Sequence, residues 1–172
     1  MGTTLVSYHV YGRTPEVAQP LLDDDLWAIT LSPGWTSVLS RPPEPELSDK
    51  PAKKLSKALD APVLSFLYFD DDLMSLALFK GGRLCAQYRM DYGAEPYIAH
   101  ITAFPEGLGW GKGLAPQLKR VLACNEMEVK VALLEEFFGV ALLVDAAFLE
   151  GATGVLSRLR GEALYRQSEA KQ

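Results

Sequence analysis

Three consecutive aspartates followed by leucine occur twice, at Asp23-Asp24-Asp25-Leu26 and at Asp70-Asp71-Asp72-Leu73, and carboxylates crowded in this way invite a divalent-cation reading. Calcium takes several oxygen ligands from a flexible loop, which makes Asp70, Asp71 and Asp72 candidate metal ligands of a calcium-binding module. A calcium loop also alternates its ligands, turns on a glycine and ends on a distant bidentate acid, and none of these follows Asp72. The structural alternative is that aspartate satisfies backbone donors in turns and protects strand ends from unwanted pairing. Each triplet leads into an apolar run, a glycine-containing turn and a second run. On this reading Asp70, Asp71 and Asp72 occupy a tight exposed turn, with residues 73–79 buried behind them.

Other groups capable of chemistry are scattered. His9 and His100 are the only histidines, lie far apart in sequence and belong to no zinc-binding helix motif. Cys85 and Cys124 are isolated thiols, better suited to a reducing compartment than to a disulfide framework. A cysteine nucleophile would need a base that the sequence does not identify, and no Gly-x-Ser-x-Gly elbow is present. Lys50, Lys53, Lys54 and Lys57 share one helical face, which reads as a solvated surface or, alternatively, as a site for an acidic partner.

The run Gly107-Leu108-Gly109-Trp110-Gly111-Lys112-Gly113 is richer, because a glycine turn that opens a helix lets backbone amides approach phosphate oxygens. It is not a Walker loop: Glu106 stands where the first glycine belongs and Gly113 where serine or threonine belongs. Residues 101–122, including Phe104-Pro105-Glu106 and Gly111-Lys112-Gly113-Leu114-Ala115, resemble the strand-turn-helix of the acetyl-CoA-dependent N-acetyltransferase superfamily. That resemblance implies a pyrophosphate cradle lined by Gly111, Gly113 and Ala115. Trp110 departs from the Arg or Gln of the family pattern, and the segment from Pro105 to Gly111 is about two residues too long. No tyrosine is assignable as the general acid, although Tyr165 lies near the end of the sequence.

The elements that must carry these groups follow from periodicity. Residues 5–11 alternate as a strand, and Thr14-Pro15-Glu16 opens a short helix. Residues 26–31 and 35–40 form one hairpin around Ser32-Pro33-Gly34. Residues 41–46 hold three prolines and open a surface connection over 41–50, within which Ser48 or Asp49 caps a helix reaching about residue 59. Residues 63–69, 73–79 and 84–90 form an antiparallel meander whose last turn uses Gly81-Gly82. In its third strand Leu84, Ala86, Tyr88 and Met90 alternate with Arg83, Cys85, Gln87 and Arg89, giving one wet face.

Helical spacing takes over afterwards. Residues 114–123 form one helix, and Asn125 caps a second, with Glu128 as capping-box partner and Glu126 pairing with Lys130. Met127, Val131, Leu134 and Phe138 supply the buried stripe of that helix, and Gly139 its left-handed stop. Residues 140–149 form either a buried strand or more helix, residues 151–160 a short helix, and 167–172 a frayed tail. The expected architecture is one α+β domain over residues 1–172. Its antiparallel sheet is built from two hairpin units, and its helices come mainly from the C-terminal half.

Composition narrows the function. At 172 residues and 48% apolar content the chain can build a full core. Its net charge of -5 disfavours nucleic acid or an anionic membrane as partner. No apolar run reaches the roughly 18 residues that span a bilayer. No secretory leader is evident at residues 1–10, so a cytoplasmic location is expected. Gly34-Trp35-Thr36-Ser37-Val38, Leu55-Ser56 and residues 63–88 are also similar to small bacterial α+β proteins of uncharacterised function. That resemblance implies a fold lineage and no residue-level role, and an immunity or partner-neutralising function follows only by analogy with other small acidic bacterial α+β proteins. The leading expectation is therefore non-catalytic binding of an unidentified protein partner, without a cofactor, through Trp35, Trp110, Tyr92 and Tyr97 as anchors. An acyl-CoA-dependent N-acetyltransferase-like enzyme is the second expectation.

Overall fold

A computed structural model describes residues 4–40, 48–69, 72–91 and 93–143. The proline-rich connection at 41–47, residues 144–160 and the expected frayed tail lie outside them.

Strand β1 (Thr4–Tyr11) carries Val6, Tyr8 and Val10 on one face and Leu5, Ser7 and His9 on the other, and all six are buried. Burial on both faces requires covering layers on both sides. A short helix α1 (Pro15–Ala18) and a 3-10 turn lead to β2 (Leu26–Ser32), which pairs with β3 (Trp35–Ser40) across the expected turn. Gly34 provides the positive φ of +83° that this turn requires. Helix α2 (Lys50–Ala58) has Asp49 at its N-cap position, and Ser48 Oγ accepts the Lys50 amide at 3.2 Å. The meander β4 (Val63–Phe69), β5 (Leu73–Lys80) and β6 (Arg83–Asp91) follows, and Gly81 and Gly82 take φ of +60° and +81° in its second turn.

The two hairpin units form one sheet. Strand β1 pairs antiparallel with β3 on one side and β4 on the other, giving the order β2-β3-β1-β4-β5-β6-β7. The last strand, β7 (Tyr97–Ala99), pairs with β6 and was not expected from the sequence. Helix α2 covers one face, where Ala52 and Leu55 pack with Tyr8, Val10, Val63, Ala77 and Phe79. The other face carries α3 (Ala103–Gly107), α4 (Ala115–Leu122) and α5 (Met127–Phe138) over Leu64, Phe66, Leu76, Leu78 and Tyr88. Among the described residues no helix is long and apolar enough to cross a membrane.

Several local expectations are corrected. Asn125 does not cap α5; Glu126 takes the N-cap position, without a side-chain cap, and the helix starts at Met127. Lys130 does not pair with Glu126 but turns into the core, since it shares a helical face with Met127 and Leu134. Leu84 leaves the row of Ala86 and Tyr88 because a bulge sets it opposite Phe79, and it stays half-exposed. Residues 140–143 are neither strand nor helix. Their buried backbone is satisfied by side chains: Glu135 Oε2 accepts the Leu142 and Leu143 amides at 2.7 and 3.1 Å, and Ser32 Oγ accepts the Ala141 amide at 3.1 Å.

Helix α3 approaches β5 through a glycine. A Cβ on Gly107 would lie 2.5 Å from Leu78 Cδ2, whereas one on Gly113 would meet nothing within 4 Å. Leu78 is fully buried and has little room to yield. Gly107→Ala should therefore lose about 1–3 kcal/mol in urea unfolding, and Gly113→Ala should stay within about 0.5 kcal/mol of the parent.

Candidate functional site

The antiparallel register aligns side chains in rows across the sheet. Val6, Leu67, Ser75, Arg89 and Tyr97 stand side by side on β1, β4, β5, β6 and β7. Two residues further along, Phe69, Leu73 and Asp91 form the next row of the same face. Helix α2 shields the opposite end of this face, over Val63, Ala77 and Phe79. Beyond its reach no described helix covers this face: Phe69 is 44% and Tyr97 56% exposed, Leu67 and Leu73 beside Phe69 are half-buried, and Ser75, Arg89 and Asp91 lie between them and Tyr97. The rim is charged. Arg89 Nε pairs with Asp91 Oδ2 at 3.1 Å, and Asp72 is exposed in the β4–β5 turn, its amide donating to the Phe69 carbonyl at 2.8 Å.

Of the expected anchors among the described residues, Tyr97 stands on this face. Trp35 is 2% exposed, packs in the main core and donates its indole N–H to the Phe138 carbonyl at 3.1 Å, so it is withdrawn as an anchor. The end of α5 at Phe138 covers it, which periodicity within residues 35–40 could not reveal. Trp110 is partly buried against Tyr11, Phe137 and Phe138, with its indole N–H donated to Tyr11 Oη at 3.2 Å. It fastens the glycine loop to the core. Tyr92 lies outside the described residues, as do Asp70 and Asp71.

The geometry around Gly111, Gly113 and Ala115 departs from the strand-turn-helix that the acetyltransferase resemblance implies. The segment before the loop is helix α3 rather than a strand, and among the described residues every strand pairing is antiparallel. Pro105 lacks the amide a ladder would need. The Ala115 amide is already donated to the Lys112 carbonyl in a 3-10 turn. Among the described residues no group of three or more His, Cys, Asp or Glu is arranged to hold a metal ion.

Two buried polar arrangements complete the inventory of chemistry. His9 is wholly buried between two serines, Nε2 lying 2.8 Å from Ser7 Oγ and Nδ1 2.9 Å from Ser37 Oγ. A neutral ring satisfies both contacts, one nitrogen donating and the other accepting. Lys130 is 2% exposed; its Nζ donates to Tyr88 Oη at 2.6 Å and approaches Met90 Sδ at 3.0 Å, over the Tyr88 ring. Burial lowers the Lys130 pKa, with Cys124 opposing, and raises that of Tyr88. This pair ties α5 to β6. Its sequence signal was a lysine at an apolar position of the α5 stripe. Cys85 and Cys124 are free thiols, and His100 is exposed at a φ of +56° just after β7. Lys50, Lys53, Lys54 and Lys57 are all exposed.

Comparison with protein-family models, curated proteins and solved structures finds no match.

Burial pushes the His9 pKa from 6.5 down to about 3. The folded value lies below the unfolded one, so the unfolded chain takes up the proton first as pH falls. Stability from the neutral ring is complete above pH 6.5 and is lost progressively toward pH 3. The His9 ring resonances should hold a single neutral tautomer from pH 8 to about pH 5. The parent should also lose stability over that acid range more steeply than His9→Gln, by up to roughly 1.4 kcal/mol per pH unit.

Proposed function

We propose that this chain is a non-catalytic binding protein that docks a protein partner on the open face of β4, β5, β6 and β7. The observation that carries the reading is the pairing of Phe69 and Tyr97, both exposed on one face of a sheet whose other end is sealed by α2. Phe69 with the half-buried Leu67 and Leu73 offers an apolar centre, and Tyr97 a second aromatic anchor on the far side of the pair formed by Arg89 and Asp91.

The charge of the rim describes the partner. Asp72 and Asp91 border the apolar rows, and the whole chain carries a net charge of -5. A partner with an apolar centre and a basic rim complements such a face and would be steered to it electrostatically. Neutralisation of that partner in a bacterial cytoplasm is the role this reading favours. It accords with the similarity of residues 63–88 to small bacterial α+β proteins.

Affinity capture tests the face. The parent and a Val129→Asp control, altered on an exposed residue of α5, should retain the same basic partner, with binding weakened by added salt. Phe69→Asp combined with Tyr97→Asp should keep its fold by circular dichroism and lose that partner by at least about tenfold. Equal retention by the double variant would overturn the proposal.

A further inference from the structure

A cavity of about 370 Å³ opens on the other side of α2, within the roughly 300–1,000 Å³ typical of small-molecule sites. Its floor is apolar, formed by Val6, Tyr8, Leu22, Leu26 and Leu55. Hydrogen bonds fix its walls. Tyr8 Oη donates to the Ser48 carbonyl at 2.5 Å, tying β1 to the start of α2. Gln19 clamps the other wall, donating to the Leu26 carbonyl at 3.2 Å and accepting the Ala28 amide at 2.8 Å.

The mouth carries opposite charges on opposite elements. Asp23 and Asp25 come from the lead into β2, and Lys50 and Lys54 from successive turns of α2. Among the described residues the ion pairs are Arg89 with Asp91 and Lys112 with Glu106, so none of these four charges is paired. A purely anionic ligand would answer the lysines and partly desolvate the carboxylates without a partner. A purely cationic one would do the reverse, and either mismatch is costly. A ligand with both charges answers both sides.

We propose that this cavity binds a small zwitterion with an apolar body, from a free apolar amino acid to a dipeptide in size. Its ammonium group faces Asp23 and Asp25, its carboxylate faces Lys50 and Lys54, and its side chains rest on the leucine floor. The site is distinct from the open sheet face and does not depend on it.

Calorimetry on the full chain with L-phenylalanine and with the dipeptide Leu-Phe tests this directly. At least one should bind saturably, and the ranking of the two identifies an amino-acid or a peptide source. The N-acetyl and the amide forms of the tighter probe should each bind at least about tenfold more weakly. Asp25→Asn and Lys54→Gln, both at exposed positions, should each weaken binding at least about fivefold without changing the melting temperature of the free protein. Absence of saturable binding at millimolar probe would overturn the proposal. So would binding indifferent to the blocked termini or to both variants.

Discussion

Strand β1 is hydrogen-bonded along both edges and buried on both faces, and every other element takes its place from that constraint. Without it, β2 and β3 would form an isolated hairpin, a unit of marginal stability in water. With it, they join the meander in one seven-stranded sheet. The buried contents of β1 show how strictly its register is held. A one-residue slip would exchange Ser7 and His9 with Val6, Tyr8 and Val10, stranding a histidine against α2 and a tyrosine away from Ser48. The contact of His9 with Ser37 on β3 therefore acts as a register pin as well as a satisfied polar pair.

The two faces of this sheet are covered unequally, and the asymmetry decides where function can reside. Helices α3, α4 and α5 build a large core on one face, with Phe104, Leu118, Leu134 and Phe138 over the central strands. The other face carries the nine-residue α2, placed over the end of the sheet nearer Gly82. Together with the four-residue α1 over β2 and β3, it spans only part of a sheet this wide. The remainder is left to Phe69, Leu73 and Tyr97 on one flank and to the cavity beside Leu22 and Leu26 on the other. Both proposed surfaces are consequences of the same shortfall in cover.

Much of this was legible in local patterns. Period-two alternation located β1 and β6, dense apolar runs located β4 and β5, the glycine pair at 81 and 82 marked the turn between β5 and β6, and Gly139 ends α5 in the left-handed conformation at a φ of +68°. What escaped was set by contacts distant in sequence. That β1 lies between β3 and β4 is a matter of pairing, which composition does not encode. Strand β7 has three residues, too few for a periodicity to register. Lys130 was read as a surface partner of Glu126, because an i,i+4 charge pair and a core position look alike until the opposing strand supplies Tyr88. Phe69 was read as the end of a covered strand, because apolar content does not reveal where a helix stops covering it.

The central claim is that the sheet presents an apolar face, open at Phe69 and Tyr97, while Tyr8, Trp35, Phe66, Tyr68, Phe79 and Tyr88 are enclosed. Hydroxyl-radical footprinting of the free full-length chain tests this without knowledge of any partner. The account predicts rapid oxidation at Phe69 and Tyr97 and strong protection at Trp35, Phe66 and Tyr88. Protection of Phe69 and Tyr97 to the level of Trp35 would contradict it.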